Sequence, residues 1–231
     1  MTNQSGLGVV EFGSASKRCN DNELRGPRET FIQIVRNKST EEFESFPYIA
    51  TLLSASIWTY YGIIKPGAML VSTVNGFGAV AQLLYVILFL TFAPPSKRAT
   101  TAMLVGIVDV GCLGAIILSS WFMLNSDTRI KAIGFIGAGL NIVMYGSPLA
   151  ALGTVMKNRS VEYMPLPLSL CVFLNGGIWT FYALLANDPF LGVPNAVGFI
   201  LGAIQLMVYV KYRTPSTNKQ YHEHLIGSSI P

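Results

Sequence analysis

The sequence predicts an all-α integral membrane protein, with two three-helix repeats in the same orientation joined by a linker helix. Three observations predict it. Apolar runs of about 20 residues recur along the chain, the length a helix needs to cross a hydrocarbon core about 30 Å thick. Basic residues gather in alternate loops. One stretch of sequence also returns 121 positions later, from Ser39 to Ser160.

Composition narrows the class first. Of 231 residues, 51% are hydrophobic and 12% are charged, about half the charged share of a soluble domain. Mean hydropathy is +0.47. Surface helices of a soluble protein need a polar face, and these runs have none. The net charge of +4 would raise nucleic acid as a partner for a soluble chain. Here the basic residues lie between apolar runs, which the positive-inside rule explains, so the expected surroundings are membrane lipid and no nucleic acid. Cys19, Cys112 and Cys171 lack metal or redox spacing, and histidine occurs only as His222 and His224. There is no nucleophile–base arrangement, metal box or phosphate loop, so neither enzymatic activity nor a cofactor or metal is expected.

Six spans are predicted at about 47–64, 68–92, 103–124, 132–153, 165–186 and 189–210. Breaks bound them, such as Lys65-Pro66-Gly67, Pro94-Pro95-Ser96-Lys97-Arg98, Ser126-Asp127 and Asn187-Asp188-Pro189. Arg36, Lys38, Lys97, Arg98, Lys157, Arg159, Lys211, Arg213 and Lys219 fall on one side, against Lys65, Arg129 and Lys131 on the other. The richer side is expected to be cytosolic and to carry the C-terminus.

The repeat sets the order of the parts. Arg36-Asn37-Lys38-Ser39-Thr40-Glu41 returns as Lys157-Asn158-Arg159-Ser160-Val161-Glu162, and Ile57-Trp58-Thr59-Tyr60-Tyr61 as Ile178-Trp179-Thr180-Phe181-Tyr182. Pro27 falls on Pro148 and, after a one-residue slip, Asn75 on Asn195 and Gly78 on Gly198. Both basic loops lie on one side, so the copies are parallel. Two three-helix units fused directly would be inverted, and the span at 103–124 restores the orientation as a linker. The expected divisions are 1–26 (a polar segment), 27–95 (first repeat), 96–130 (linker), 131–213 (second repeat) and 214–231 (a polar cytosolic tail).

Several strings carry a resemblance: Lys38-Ser39-Thr40-Glu41-Glu42-Phe43, Trp58-Thr59-Tyr60-Tyr61-Gly62, Leu70-Val71-Ser72-Thr73-Val74-Asn75-Gly76 and Met144-Tyr145-Gly146-Ser147-Pro148-Leu149. From Pro27 to Arg213 the chain resembles plant SWEET sugar transporters, and Tyr60-Tyr61-Gly62-Ile63 and Leu140-Asn141-Ile142-Val143 are similar to the vacuolar branch. The resemblance implies three helices, a linker helix and three more, moving mono- or disaccharides down their gradient without ion coupling. Transporters with parallel repeats, this family among them, hold substrate near the bilayer midplane.

An intramembrane asparagine is costly unless something satisfies it. Asn75 and Asn195 hold equivalent places, and an amide offers the donor and acceptor that vicinal hydroxyls need. The plain alternative is an amide bonded to its own backbone; the resemblance makes both sugar-binding. Trp58 and Trp179 form a second pair, suited to the C–H face of a sugar ring. Tryptophans in a single helix are more often core residues or interfacial anchors, and the resemblance places these as pocket walls. Ser54 and Asn175 lie one turn earlier on the same faces. By resemblance, Asn141 and Met144 complete the substrate set, and their bulk points to a hexose. Pro27, Pro47, Pro148 and Pro165 match the family's hinge prolines, and Tyr61, Tyr182 and Asp188 its extracytosolic gate. Prolines near helix ends need no function at all. Asp109 is the one carboxylate inside a span, which fits a carrier without ion coupling.

Before Pro27 the pattern changes. Lys17, Arg18, Asp21, Glu23 and Arg25 crowd the place where the repeat calls for the apolar first helix of copy one. Each would cost a few kcal/mol at a helix centre. That helix is expected to be missing or replaced. Two functions follow: a passive uniporter working by alternating access, or a non-transporting isoform that oligomerises with full-length relatives and regulates them. Homo- or hetero-oligomers are expected, in the plasma membrane or the vacuolar membrane.

Overall fold

The computed structural model describes residues 45–161 and 164–213; Pro27 and the charged segment before it lie outside them. Among the described residues there is no strand. The helices are α1 (Phe46–Ile64), α2 (Met69–Phe92), α3 (Pro95–Leu104), a π-helical stretch (Val105–Cys112), α4 (Leu113–Met123), α5 (Ser126–Met144), α6 (Gly146–Asn158), α7 (Leu166–Leu185) and α8 (Pro189–Tyr212). Five stretches are long and apolar enough to cross a membrane: Met69–Phe92, Pro95–Met123, Ser126–Asn158, Leu166–Leu185 and Pro189–Tyr212. Large apolar side chains stand open on them, among them Phe77, Phe122 and Leu184. Such a surface suits lipid, whereas water would penalise it.

α1 occupies the first expected span but is not among those five. Its threonines, serines, tryptophan and tyrosines dilute its hydropathy, and it buries Ile49, Leu52, Ser54, Ala55, Ile57, Trp58, Tyr61 and Gly62. The linker helix starts at Pro95, earlier than expected. Proline at a helix start gives up no needed hydrogen bond, so the polar turn that follows it stays helical. The span expected at 132–153 is two helices that break at Tyr145, the N-cap of α6. Pro148 has no N–H for the carbonyl four residues back, and its ring crowds that carbonyl. The Tyr145 N–H is shared between the carbonyls of Asn141 and Ile142, each at 3.2 Å.

The chain divides into two compact units, one ending at Ile133 and the other starting at Gly134. In the first, α1 packs along α2, and the linker runs beside α1. Ile49, Leu52 and Val86 form a core, with Val105 and Val108 of the π stretch against it. Thr101 donates to Ser45 at 2.8 Å, and the hydroxyls of Tyr60 and Ser120 lie 3.1 Å apart, so polar contacts pin the linker to α1 on both sides of that core. Arg129 closes the elbow that follows. Its guanidinium donates to the carbonyls of Ser120 (3.1 Å), Trp121 (3.1 Å) and Leu124 (3.0 Å) and lies 4.3 Å from the centre of the Trp121 ring. Both carboxyl oxygens of Asp109 are buried with no partner among the described residues.

In the second unit, α7 and α6 each pack on α8. Leu152, Val155 and Met164 form its core, against Ile204 and Val208 of α8.

Candidate functional site

Within the first unit, Ser54, Trp58 and Tyr61 recur at the three- and four-residue spacing that puts them on one side of α1. All three are buried. Trp58 and Tyr61 meet edge to face, with ring centroids 5.3 Å apart and planes at 84°, the arrangement that the ring quadrupoles favour. The Tyr61 hydroxyl accepts from Lys65 at 3.1 Å, and that ammonium stands 5.4 Å from the ring centre. Nearly two turns into α2, Asn75 is half-buried and its Nδ2 donates to the Val71 carbonyl at 2.9 Å.

The second unit repeats these contacts. Trp179 and Tyr182, both half-buried, meet edge to face at 5.7 Å and 86°. Asn195 is buried, and its Nδ2 donates to the Leu191 carbonyl at 2.7 Å. Even the threonines match: Thr59 donates to the Ala55 carbonyl at 2.7 Å and Thr180 to the Gly176 carbonyl at 2.6 Å. The plain alternative for the asparagines therefore holds for one N–H of each amide. Neither amide has a second partner among the described residues. Each keeps an oxygen and an N–H, the pair a sugar diol uses.

The other expected residues are more dispersed. Asn141 is half-buried in α5, and Met144 ends that helix, 37% exposed. Asn175 is exposed on α7. Asp188 is buried and caps α8, accepting from the Leu191 N–H at 3.2 Å, so it has a structural task of its own. Pro47 lies in the first turn of α1 and Pro165 at the N-cap of α7, places where proline costs a helix nothing. Of Pro47, Pro148 and Pro165, Pro148 alone accompanies a break within a span.

Sequence reasoning missed Pro194, which sits inside α8 one residue before Asn195. It also missed Tyr145, whose hydroxyl donates to the Pro194 carbonyl at 2.8 Å. A proline inside an apolar run, next to a symmetric asparagine, was the available signal.

A family profile described as "Sugar efflux transporter for intercellular exchange" matches residues 25–97 and 131–217. These segments hold the two copies, and the gap between them holds the linker. "Bidirectional sugar transporter SWEET16" of Arabidopsis thaliana is 52% identical over 202 residues, 87% of each chain. "Bidirectional sugar transporter SWEET17" of the same plant is 52% identical over 188 residues, 81% of this chain and 78% of its own. Among solved structures, "The 3.7 A resolution structure of a eukaryotic SWEET transporter" matches with a TM-score of 0.76 and 39% identity, over 80% of this chain and 87% of that one.

Proposed function

The chain belongs to the SWEET family, and from that premise we propose that it is a passive, bidirectional uniporter for a small uncharged sugar. The observation that carries this reading is the duplicated constellation: an edge-to-face Trp–Tyr pair and a half-committed asparagine in each copy. Asn75 and Asn195 bind hydroxyls, and Trp58 and Trp179 offer apolar faces to the ring. Ser54, Asn175, Asn141 and Met144 shape the remaining wall, with bulk that suits a hexose such as glucose or fructose. Pro27, Pro47, Pro148 and Pro165 act at the cytosolic side, and Tyr61, Tyr182 and Asp188 at the other, as one copy rocks against its partner. The vacuolar membrane is its location, with the C-terminus in the cytosol. Uptake of labelled glucose, fructose and sucrose by a transport-deficient host tests the reading. Uptake of a hexose, with sucrose left outside, is the expected result; no uptake of any of the three overturns it.

One observation favours a second reading. Lys17, Arg18, Asp21, Glu23 and Arg25 stand where the repeat calls for apolar residues. A regulatory subunit lacking transport of its own would change the uptake of a co-expressed full-length relative while giving none alone.

A further inference from the structure

We infer that Tyr145, which no part of the proposed site includes, is a positioning residue for the substrate-binding amide of Asn195. The inference rests on the sugar-transport reading above. α8 has a weak point where it carries that amide. Pro194 lies inside the helix and has no N–H to give to the carbonyl four residues back, so the turn leading into Asn195 lacks a backbone bond. Proline at such a place lets a helix bend unless something outside holds it.

One bond from the α5–α6 break holds it. The Tyr145 hydroxyl donates to the Pro194 carbonyl at 2.8 Å. Lower on α8, Gln205 Nε2 donates to the Pro148 carbonyl at 3.3 Å. Each proline's carbonyl is thus engaged by a side chain of the other element. Gly198 makes the room: a Cβ there would collide with the Tyr145 hydroxyl and stand 3.0 Å from its Cζ. Asn195 lies one residue beyond the carbonyl that Tyr145 holds and one turn before the glycine against which its ring rests. Its Nδ2 is tied to Leu191, so wherever that turn settles, the free edge of the amide goes too.

The first copy has no such fixture among the described residues. Val74 replaces Pro194 in front of Asn75, and Gly78 has nothing within 4 Å of where a Cβ would be. Among the described residues the fixture stands in the proline-containing copy.

Tyr145→Phe removes one hydroxyl and keeps the ring against Gly198. In the full chain, with membrane abundance matched to wild type, it should raise the KM for glucose uptake about three- to ten-fold, the range expected for one buried hydrogen bond, and leave Vmax unchanged. A purely structural role would lower abundance or Vmax and leave KM alone. Amide hydrogen exchange in the α8 segment from Leu191 to Gly198 should quicken in the same variant. Gly198→Ala, which displaces the ring, should shift KM the same way, and adding Tyr145→Phe to it should cost less than the two effects combined. Unchanged KM in Tyr145→Phe, with a wild type that transports, overturns the inference. If the wild type moves no sugar, it is the transport reading that fails; unchanged exchange in α8 then overturns the positioning role as well.

Discussion

In α1 the glycine of the helix pair stands late, at Gly62, and in α7 it stands early, at Gly176; the matching positions carry alanine, Ala183 and Ala55. A Cβ on Gly62 would lie 2.8 Å from the Ser72 Cα, and one on Gly176 would lie 2.9 Å from the Phe199 Cα. The glycines at these matching places therefore pinch the two pairs at different levels: α1 and α2 beside the Lys65 loop, α7 and α8 deeper, at the level of Asn195. A second pinch in the later pair, Gly202 against the Phe173 backbone, keeps it close further down. Despite this, the Trp–Tyr edge contact, the asparagine bond to its own helix and the threonine bond four residues back occur in both. Side-chain geometry is kept while helix crossing is not. Contacts set by three- and four-residue spacing along one helix survive a change in how that helix meets its neighbour. Contacts between helices, such as Tyr145 to Pro194, need not.

The largest expected effect tests whether the two copies share one task. Asn75→Ala combined with Asn195→Ala should reduce labelled-sugar uptake to background in a transport-deficient host. Wild-type uptake by that double variant would dissolve the proposed site. Next comes the difference in pinch level. Gly62→Ala and Gly176→Ala should each destabilise the protein by about 1–3 kcal/mol through overpacking, read as a lower unfolding temperature in detergent. Ala183→Gly should not relieve the first, because it lies in the other unit. A variant at Gly62 as stable as wild type would mean that the α1–α2 crossing yields easily. Removing the aromatic pairing should cost less: Tyr61→Leu and Tyr182→Leu should each lose about 0.5–1.5 kcal/mol beyond their area, measured by the same melting. Smallest of all, Thr59→Val and Thr180→Val should change stability by less than about 0.5 kcal/mol, and by equal amounts, because a hydroxyl bonded to its own helix adds little. Unequal effects there would show that the copies differ even where their geometry agrees.

Much of this architecture was legible in the sequence because it is periodic. Hydropathy marked the apolar stretches, and the repeat paired Trp58 with Trp179 at 121 residues and, after a one-residue slip, Asn75 with Asn195, whose contacts do match. Hydropathy misjudged two places for physical reasons. The linker starts at Pro95 because a polar turn after a proline is still helical. The 132–153 span is broken at Tyr145 because a missing N–H acts locally, whatever the apolarity of its neighbours. The bonds of Tyr145 and Arg129 were not legible at all. In each, one partner is a backbone carbonyl, which every residue has, so no residue type announces it.

The Arg129 elbow has a consequence for how the charges between the helices are spent. Arg129 and Lys65 are two of the three basic residues on the poorer side of the charge count. Both stand at the carboxyl ends of helices, where the backbone dipole is negative: Arg129 on the last carbonyls of α4, Lys65 as the C-cap of α1 with its ammonium on Tyr61. Each holds its charge against a helix end of the folded protein, where it offsets the negative end of the backbone dipole. Among the three, Lys131 alone remains exposed, so it is the one whose charge is not held against a helix end of the folded protein.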